Sequence, residues 1–226
     1  MIREHYDSET KLSWVLASLA GLLAAAAFTH SEGYFVTFMT GNAGRAVLGV
    51  FNDNQWLSIS AAALLFSFLA GVVTASLLRR YAWPSQPHGA LVLTAAALVA
   101  ATLLDWIVEG GPTLPLPLLP ILLVAFGVGS LNTTFVRDGE VSIPLSYVTG
   151  TVVKMGQGIE RHISGGTIRD WLGHLLLFGG YTSGAVFGGV ISLFAGGTWM
   201  LGIASGGCVV ATWYTHHYAG RRGLWK

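Results

Sequence analysis

From Trp171 to Gly220 the chain reads WLGHLLLFGGYTSGAVFGGVISLFAGGTWMLGIASGGCVVATWYTHHYAG, fifty residues without an Asp, Glu, Lys or Arg. A membrane span needs roughly 20 predominantly apolar residues at about 1.5 Å rise each. The stretch therefore holds two spans, Trp171–Phe194 and Thr198–Tyr218, with Ala195-Gly196-Gly197 as the turn between them. Glycine suits that turn because it takes backbone conformations that other residues avoid. A second uncharged run, Gly110 to Val136, holds a third span. The competing reading, a soluble protein with buried core helices, leaves this sequence too little polar surface to face water.

The rest of the chain agrees. Of 226 residues, 53% are hydrophobic and 10% charged, against about 25% charged in soluble domains. Three further uncharged windows are Leu12–Thr29, Gln55–Leu78 and Gly89–Leu104, and the window containing Pro112, Pro115, Pro117 and Pro120 closes the set at six. Proline is tolerated at a helix start and breaks an interior, so the regular helix of that fourth window is expected from near Pro120. The third window is short, and its helix has room to extend back through Pro87. The expected fold class is all-α: a polytopic membrane bundle of six spans, with tails at 1–11 and 219–226 and three-helix units at 12–111 and 112–218. A cleaved leader is a weaker reading of the first window. Ala24–Ala27 would serve as its cleavage region, but Glu4, Asp7 and Glu9 crowd a segment that should be basic.

Orientation follows from the twelve Lys and Arg residues. With the N-terminus cytoplasmic, the inside segments carry Arg3, Lys11, Arg79, Arg80, Arg137, Lys154, Arg161, Arg169, Arg221, Arg222 and Lys226, and only Arg45 falls outside. Cytoplasmic loops are enriched in such residues. Two extra spans at the glycine-rich segments would move Arg79 and Arg80 outside, so six is the preferred count. Both termini are then cytoplasmic.

An internal repeat is visible. Phe38-Met39-Thr40-Gly41-Asn42-Ala43-Gly44-Arg45 follows the first span, and Tyr147-Val148-Thr149-Gly150-Thr151-Val152-Val153-Lys154 follows the fourth. Each reads aromatic, apolar, Thr, Gly, Asn or Thr, two small or apolar residues, then a cation. The preceding spans carry Gly21 and Gly129, 20 and 21 residues before the motif glycine; the following spans carry Gly71 and Gly184. Three spans per unit is odd, so the second unit enters the membrane from the opposite side. The expected arrangement is a 3+3 inverted repeat with short interrupted or re-entrant motif segments, an architecture that recurs in transporters with the site between the halves.

These motifs, together with Gly129-Ser130-Leu131-Asn132, resemble the YoaK-like family of bacterial membrane proteins, also catalogued as domain of unknown function 1275, over roughly residues 12 to 215. The resemblance implies a multi-helix protein of the bacterial inner membrane and names no activity. Members of that family commonly carry an acidic residue three positions after the first-helix glycine, where this chain has Ala24; the matching position in the second unit is Asn132. Coupling to an ion through that acid is therefore in doubt here.

A Thr-Gly-Asn or Thr-Gly-Thr element suits a helix start, where free backbone N–H groups and the helix dipole favour an anion. Arg45 and Lys154 lie about one turn beyond Gly41 and Gly150. The candidate substrate site is thus Thr40, Gly41, Asn42, Arg45, Asn132, Thr149, Gly150, Thr151 and Lys154, for a small polar or anionic solute. The plainer reading is that Gly41, Gly44, Gly150 and Gly156 permit close helix packing and that the two cations snorkel to headgroups.

Other polar residues carry less. Asp105, with Trp106 and Glu109, reads as an interfacial boundary, so no acid is expected deep in a span. His174 reads as a helix-end polar residue. His216 and His217 are adjacent, hence not on one helical face, and no metal is expected there. Cys208 is the lone cysteine, a small packed side chain, so no disulfide, cysteine-held metal or cofactor follows. Gly-x-Ser-x-Gly, His-Glu-x-x-His and paired aspartates are absent, Ser142 and Ser146 lack a base, and an enzyme is not expected. No basic stripe with interleaved aromatics supports nucleic-acid binding. The chemistry points to a small-solute transporter or permease in a lipid bilayer. The alternative is a non-transporting subunit that packs against a larger membrane complex, lipid or pigment, for which eight Trp and many small residues are suited. A cavity lined by Thr40, Asn42, Thr149 and Thr151 would favour transport; a filled centre would favour the subunit.

Overall fold

The computed structural model describes residues 8–83, 88–109 and 116–219. The tails at 1–7 and 220–226, with Arg3, Arg221, Arg222 and Lys226, lie outside them, as do Pro87, Pro112, Pro115 and the boundary at 111–112. The chain is all-α. Helices occupy each of the six apolar windows: α1 (Ser8–His30), α3 (Gln55–Tyr81), α4 (Gly89–Glu109), α5 (Leu118–Leu131), α7 (Arg169–Ser192) and α8 (Gly197–Tyr214). Two further helices, α2 (Met39–Phe51) and α6 (Thr149–Ile163), stand between them. Four helices are long and apolar enough to cross a membrane: α1, α3, α4 and α7. The apolar α5 has only 14 residues.

Two expectations change. The motif segments are not interrupted; each opens a regular amphipathic helix, α2 or α6. Apolar residues such as Val47, Leu48, Val50 and Phe51 on α2, and Val152, Val153, Ile159 and Ile163 on α6, remain exposed, as befits helices lying along a membrane surface. The fourth window also stops short of Val136. Thr133 and Thr134 turn their hydroxyls back onto the carbonyls of Ser130 and Leu131, ending α5. A small hairpin follows, β1 (Val136–Arg137) against β2 (Glu140–Val141), with Arg137 opposite Glu140. Its turn places Asp138 and Gly139 at positive φ, the Asp-Gly signature of a tight hairpin.

The long helices cross in matched pairs. α1 runs parallel to α7, with Trp14 opposite Gly180, Ser18 opposite Gly184 and Leu22 opposite Gly188. α3 runs parallel to α5: Ser67 donates to the Leu122 carbonyl at 2.7 Å, and Gly71 faces Phe126. α4 and α8 are antiparallel, joined by Asp105–Thr198, Thr102–Ser205 and Leu91–Thr212 hydrogen bonds. Within the two parallel pairs, glycine lets backbones touch. A Cβ on Gly21 or Gly184 would collide with the carbonyl oxygen of Tyr181 or Ser18, and one on Gly71 or Gly129 with that of Phe126 or Phe68. Such close approach is how helices associate where lipid is as apolar as leucine.

Much of the interior is apolar. One cluster gathers Leu23, Leu98, Val124, Met200 and Leu201 around Tyr34 and Val36. A second gathers Leu16, Leu91, Leu131 and Phe135 around Leu145.

Candidate functional site

The two motifs do not meet. α2 packs on α3 and α6 on α7, and no residue of α2 contacts α6. The third glycine of each motif helix, Gly49 or Gly158, explains the docking. A Cβ on Gly49 would lie 2.8 Å from the Asn54 carbonyl, and one on Gly158 2.5 Å from that of Asp170. Both glycines sit eight residues beyond the motif glycine, a correspondence that the sequence reading missed.

Individual motif residues divide sharply by environment. Thr40, Thr149, Gly150 and Lys154 are exposed. Gly150, like Gly44 and Gly156, has open space where a Cβ would stand, and Gly41 would meet only the exposed, movable Phe38 ring; none of these four holds a backbone contact. Arg45 is engaged locally, donating to the Gly33 carbonyl at 2.5 Å and lying 5.0 Å over the Phe35 ring. Asn42 and Thr151, equivalent by motif position, are both fully buried. Asn42 donates to the Phe35 carbonyl at 2.7 Å, yet its Oδ1 and the Thr151 Oγ1 have no hydrogen-bond partner.

Irregular backbone is buried just upstream of each motif. Before α2, Tyr34, Val36 and Thr37 leave the surface; before α6, Leu145 and Ser146 do the same. Val36 and Leu145, again at equivalent positions, are each 0% exposed and plug different apolar clusters. Non-regular backbone is tolerated at membrane depth when it is buried in protein. Side-chain hydrogen bonds pin each plug. Thr37 shares a 3.0 Å hydrogen bond with the Tyr181 hydroxyl. Asn132 donates to Ser146 Oγ at 2.6 Å and accepts from the backbone N–H groups of Leu145 and Ser146 at 3.3 and 3.0 Å. With its further bond to the Val128 carbonyl, the Asn132 side chain is saturated by its own protein.

The plug on the α2 side has a polar rim. Tyr34 donates to Glu32 at 2.9 Å and Trp56 Nε1 donates to the same carboxylate oxygen at 3.2 Å. Burial, then the Glu32 contact, pushes the Tyr34 phenol above its ordinary value. On the α6 side, Arg137 of the hairpin pairs with Glu9 of α1 at 2.7 Å.

Asp105 corrects the boundary reading. Its neighbour Trp106 is 53% exposed, but Asp105 itself is 0% exposed, turned inward against α8, where Thr198 donates to Oδ2 at 2.5 Å. His216 is also not isolated: its Nδ1 lies 3.1 Å from Nε2 of His88, which precedes α4. Among the described residues, no three His, Cys, Asp or Glu side chains gather as a metal site.

Comparison with known proteins places this architecture. A UPF0700 transmembrane protein of Rhizobium meliloti (strain 1021) is 28% identical over 185 residues, covering 80% of this chain and 75% of that protein. No solved structure matches the chain. The family model described as "Protein of unknown function (DUF1275)" matches residues 12–214, from α1 to the end of α8; the chain is an integral membrane protein and belongs to the DUF1275 family.

Proposed function

We propose that the chain is a small-solute transporter of the bacterial inner membrane, built from two inverted three-span units with both termini cytoplasmic. In this reading α1 to α4 correspond to α5 to α8. The exchange maps α1–α7 onto α5–α3 and α2–α3 onto α6–α7, and it returns α4–α8 to itself. Parallel α1–α7 and α3–α5 with antiparallel α4–α8 is the pattern that an in-plane two-fold axis requires. The α5 helix, short by itself, completes its passage with the irregular segments around it.

The observation that carries the transport reading is the pair of buried plugs, residues 34–37 and 144–146. Each is irregular backbone placed in a helical bundle, held by side-chain hydrogen bonds, and followed by a helix able to move it. Opening one plug at a time gives access from one side at a time, the logic of inverted-repeat carriers. Thr37, Tyr181, Asn132 and Ser146 then line the routes. Asn42 and Thr151, with a buried oxygen unpaired on each side, supply polar contacts to a small solute. Arg45 and Lys154 bias the two mouths toward anions.

The apolar clusters of the interior favour a second reading, a non-transporting subunit whose lipid-facing helices pack against a larger membrane complex. Thiol accessibility separates the two. With Cys208 replaced by alanine, Val36→Cys and Leu145→Cys are treated with a membrane-impermeant maleimide in vesicles of each orientation. A transporter labels Val36→Cys from outside and Leu145→Cys from inside, at rates that a solute extract alters. A static subunit labels neither.

A further inference from the structure

α6 presents three faces, each set by residue spacing. Thr151 and Gly158, seven residues apart, are buried, and Gly158 docks on α7 against the Asp170 carbonyl. Val152, Ile159 and Ile163 form an exposed apolar stripe, with Ile163 80% exposed. Lys154 and Arg161, also seven apart, share a third face, because seven residues come close to two full turns and span about 10 Å. Both are exposed, as is Arg169 at the start of α7.

These three cations are unpaired. Among the described residues, Lys154, Arg161 and Arg169 make no hydrogen bond or ion pair. The acids around them are engaged elsewhere. Glu160, about 100° around the helix from Arg161, accepts from Ser164 Oγ at 2.9 Å. Asp170 accepts from Thr167 Oγ1 at 3.2 Å and from the Thr167 N–H at 3.3 Å. The Glu140 charge acts on Tyr147, before the first turn of α6, and Glu9 is taken by Arg137.

α2, which opens on the other copy of the motif, differs. It exposes Val47, Leu48, Val50 and Phe51 but carries a single cation. That cation, Arg45, is committed to the Gly33 carbonyl and the Phe35 ring. Of the two motif cations, only Lys154 is free to meet an external anion. An apolar stripe on the same helix as unpaired cations suits a helix that reaches acyl chains and phosphate at once. Each Lys or Arg near an anionic leaflet strengthens such attachment several-fold. A soluble anion would use the cations alone and leave the stripe without a role.

We propose that α6, through Lys154, Arg161 and Arg169, binds the phosphodiester headgroups of anionic phospholipids, and that α2 does not. The proposal does not rest on the transport reading, since it holds for a carrier and for a static subunit alike; a lipid phosphate and a carried anion would compete only at Lys154. Purified full-length protein in uncharged detergent micelles is titrated with phosphatidylglycerol, with phosphatidylcholine of the same chains, and with inorganic phosphate. Bound lipid is counted by native mass spectrometry. The expected result is a preference for phosphatidylglycerol of about tenfold or more, weakened by added salt and not competed by excess inorganic phosphate. Combining Lys154→Gln, Arg161→Gln and Arg169→Gln should bring the two lipids to equal affinity, whereas Arg45→Gln should keep the preference. Arg161→Gln alone should reduce the preference several-fold, and it remains informative if the triple variant does not fold. Equal affinity of the two lipids for the native protein, a preference that survives the neutralising substitutions, or its loss in Arg45→Gln overturns the proposal. Displacement of phosphatidylglycerol by inorganic phosphate also overturns it, and would make the three cations a site for a soluble anion.

Discussion

Gly71 and Gly129 face one another across the α3–α5 crossing, each against the carbonyl of the residue three positions before its partner: Gly71 against Phe126, Gly129 against Phe68. Gly21 and Gly184 repeat the relationship across α1–α7, against Tyr181 and Ser18. Four glycines in two such reciprocal contacts fix how close the helices lie, because a side chain at any of them would have to displace backbone and not a movable side chain.

Substitution at these crossings should therefore be severe. Gly71→Val and Gly184→Val are expected to destabilise the bundle by more than about 3 kcal/mol, the upper range for overpacking against structure that cannot yield. Gly150→Ala, in open space, should change stability by less than about 0.5 kcal/mol, as surface substitutions do. Thermal unfolding in detergent, followed by loss of monodisperse protein, measures both.

Asn132→Leu should free the segment before α6. The change removes acceptors from two buried backbone N–H groups and a donor to Ser146, so a loss of roughly 2–4 kcal/mol is expected from a few unmade bonds at about 1 kcal/mol each plus orphaned donors. Hydrogen exchange at Leu145 and Ser146 should accelerate strongly, while that of α3 stays protected. Unchanged exchange at those two amides would show that Asn132 does not pin the plug.

Arg45→Gln should loosen residues 31–38 without unfolding the bundle, because the guanidinium holds the Gly33 carbonyl and covers Phe35. Limited proteolysis near Gly33 is the readout, and an unchanged cleavage rate would mean the contact is incidental.

The His88–His216 contact should weaken in mild acid. Burial, and then the neighbouring His216, hold the His88 imidazole below its ordinary value of 6.5. The folded state thus binds this proton less readily than the unfolded chain. The contribution is full above pH 6.5 and is lost as pH falls from there through the lower folded value. In His88→Gln the pH dependence of the unfolding temperature between those limits should flatten; an identical profile would remove His88 as its source.

How much of this the sequence carried depends on the kind of signal. Charge-free length located a helix in each of the six apolar windows, four of them long and apolar enough to cross a membrane, because hydrophobicity over 20 residues is a strong, redundant signal. Glycine spacing pointed to Gly21, Gly71, Gly129 and Gly184, which prove to be the contact glycines. The motif glycines Gly41 and Gly150 looked equivalent in sequence, yet they face a movable ring and open space, since spacing alone does not tell which face of a helix a residue occupies. Asp105 was misread because Trp106 and Glu109 flank it, and one residue is enough to turn a helix from lipid to interior. The plugs at 34–37 and 144–146 left little trace, as short irregular segments have no period; Pro144 was the one available hint. Thr40, Thr149 and Lys154 were singled out by residue type, and their exposure follows from the docking of α2 and α6 through Gly49 and Gly158.

The central claim is that the two units are inverted, so that α2 and α6 lie on opposite faces of the membrane. Gly44 and Gly156 stand in open space on those helices and accept a cysteine without disturbance. With Cys208→Ala as background, a membrane-impermeant maleimide applied to right-side-out and inside-out vesicles reads the side of each directly. The account predicts that Gly44→Cys labels only in right-side-out vesicles and Gly156→Cys only in inside-out vesicles. Labelling of both positions from the same face would contradict it.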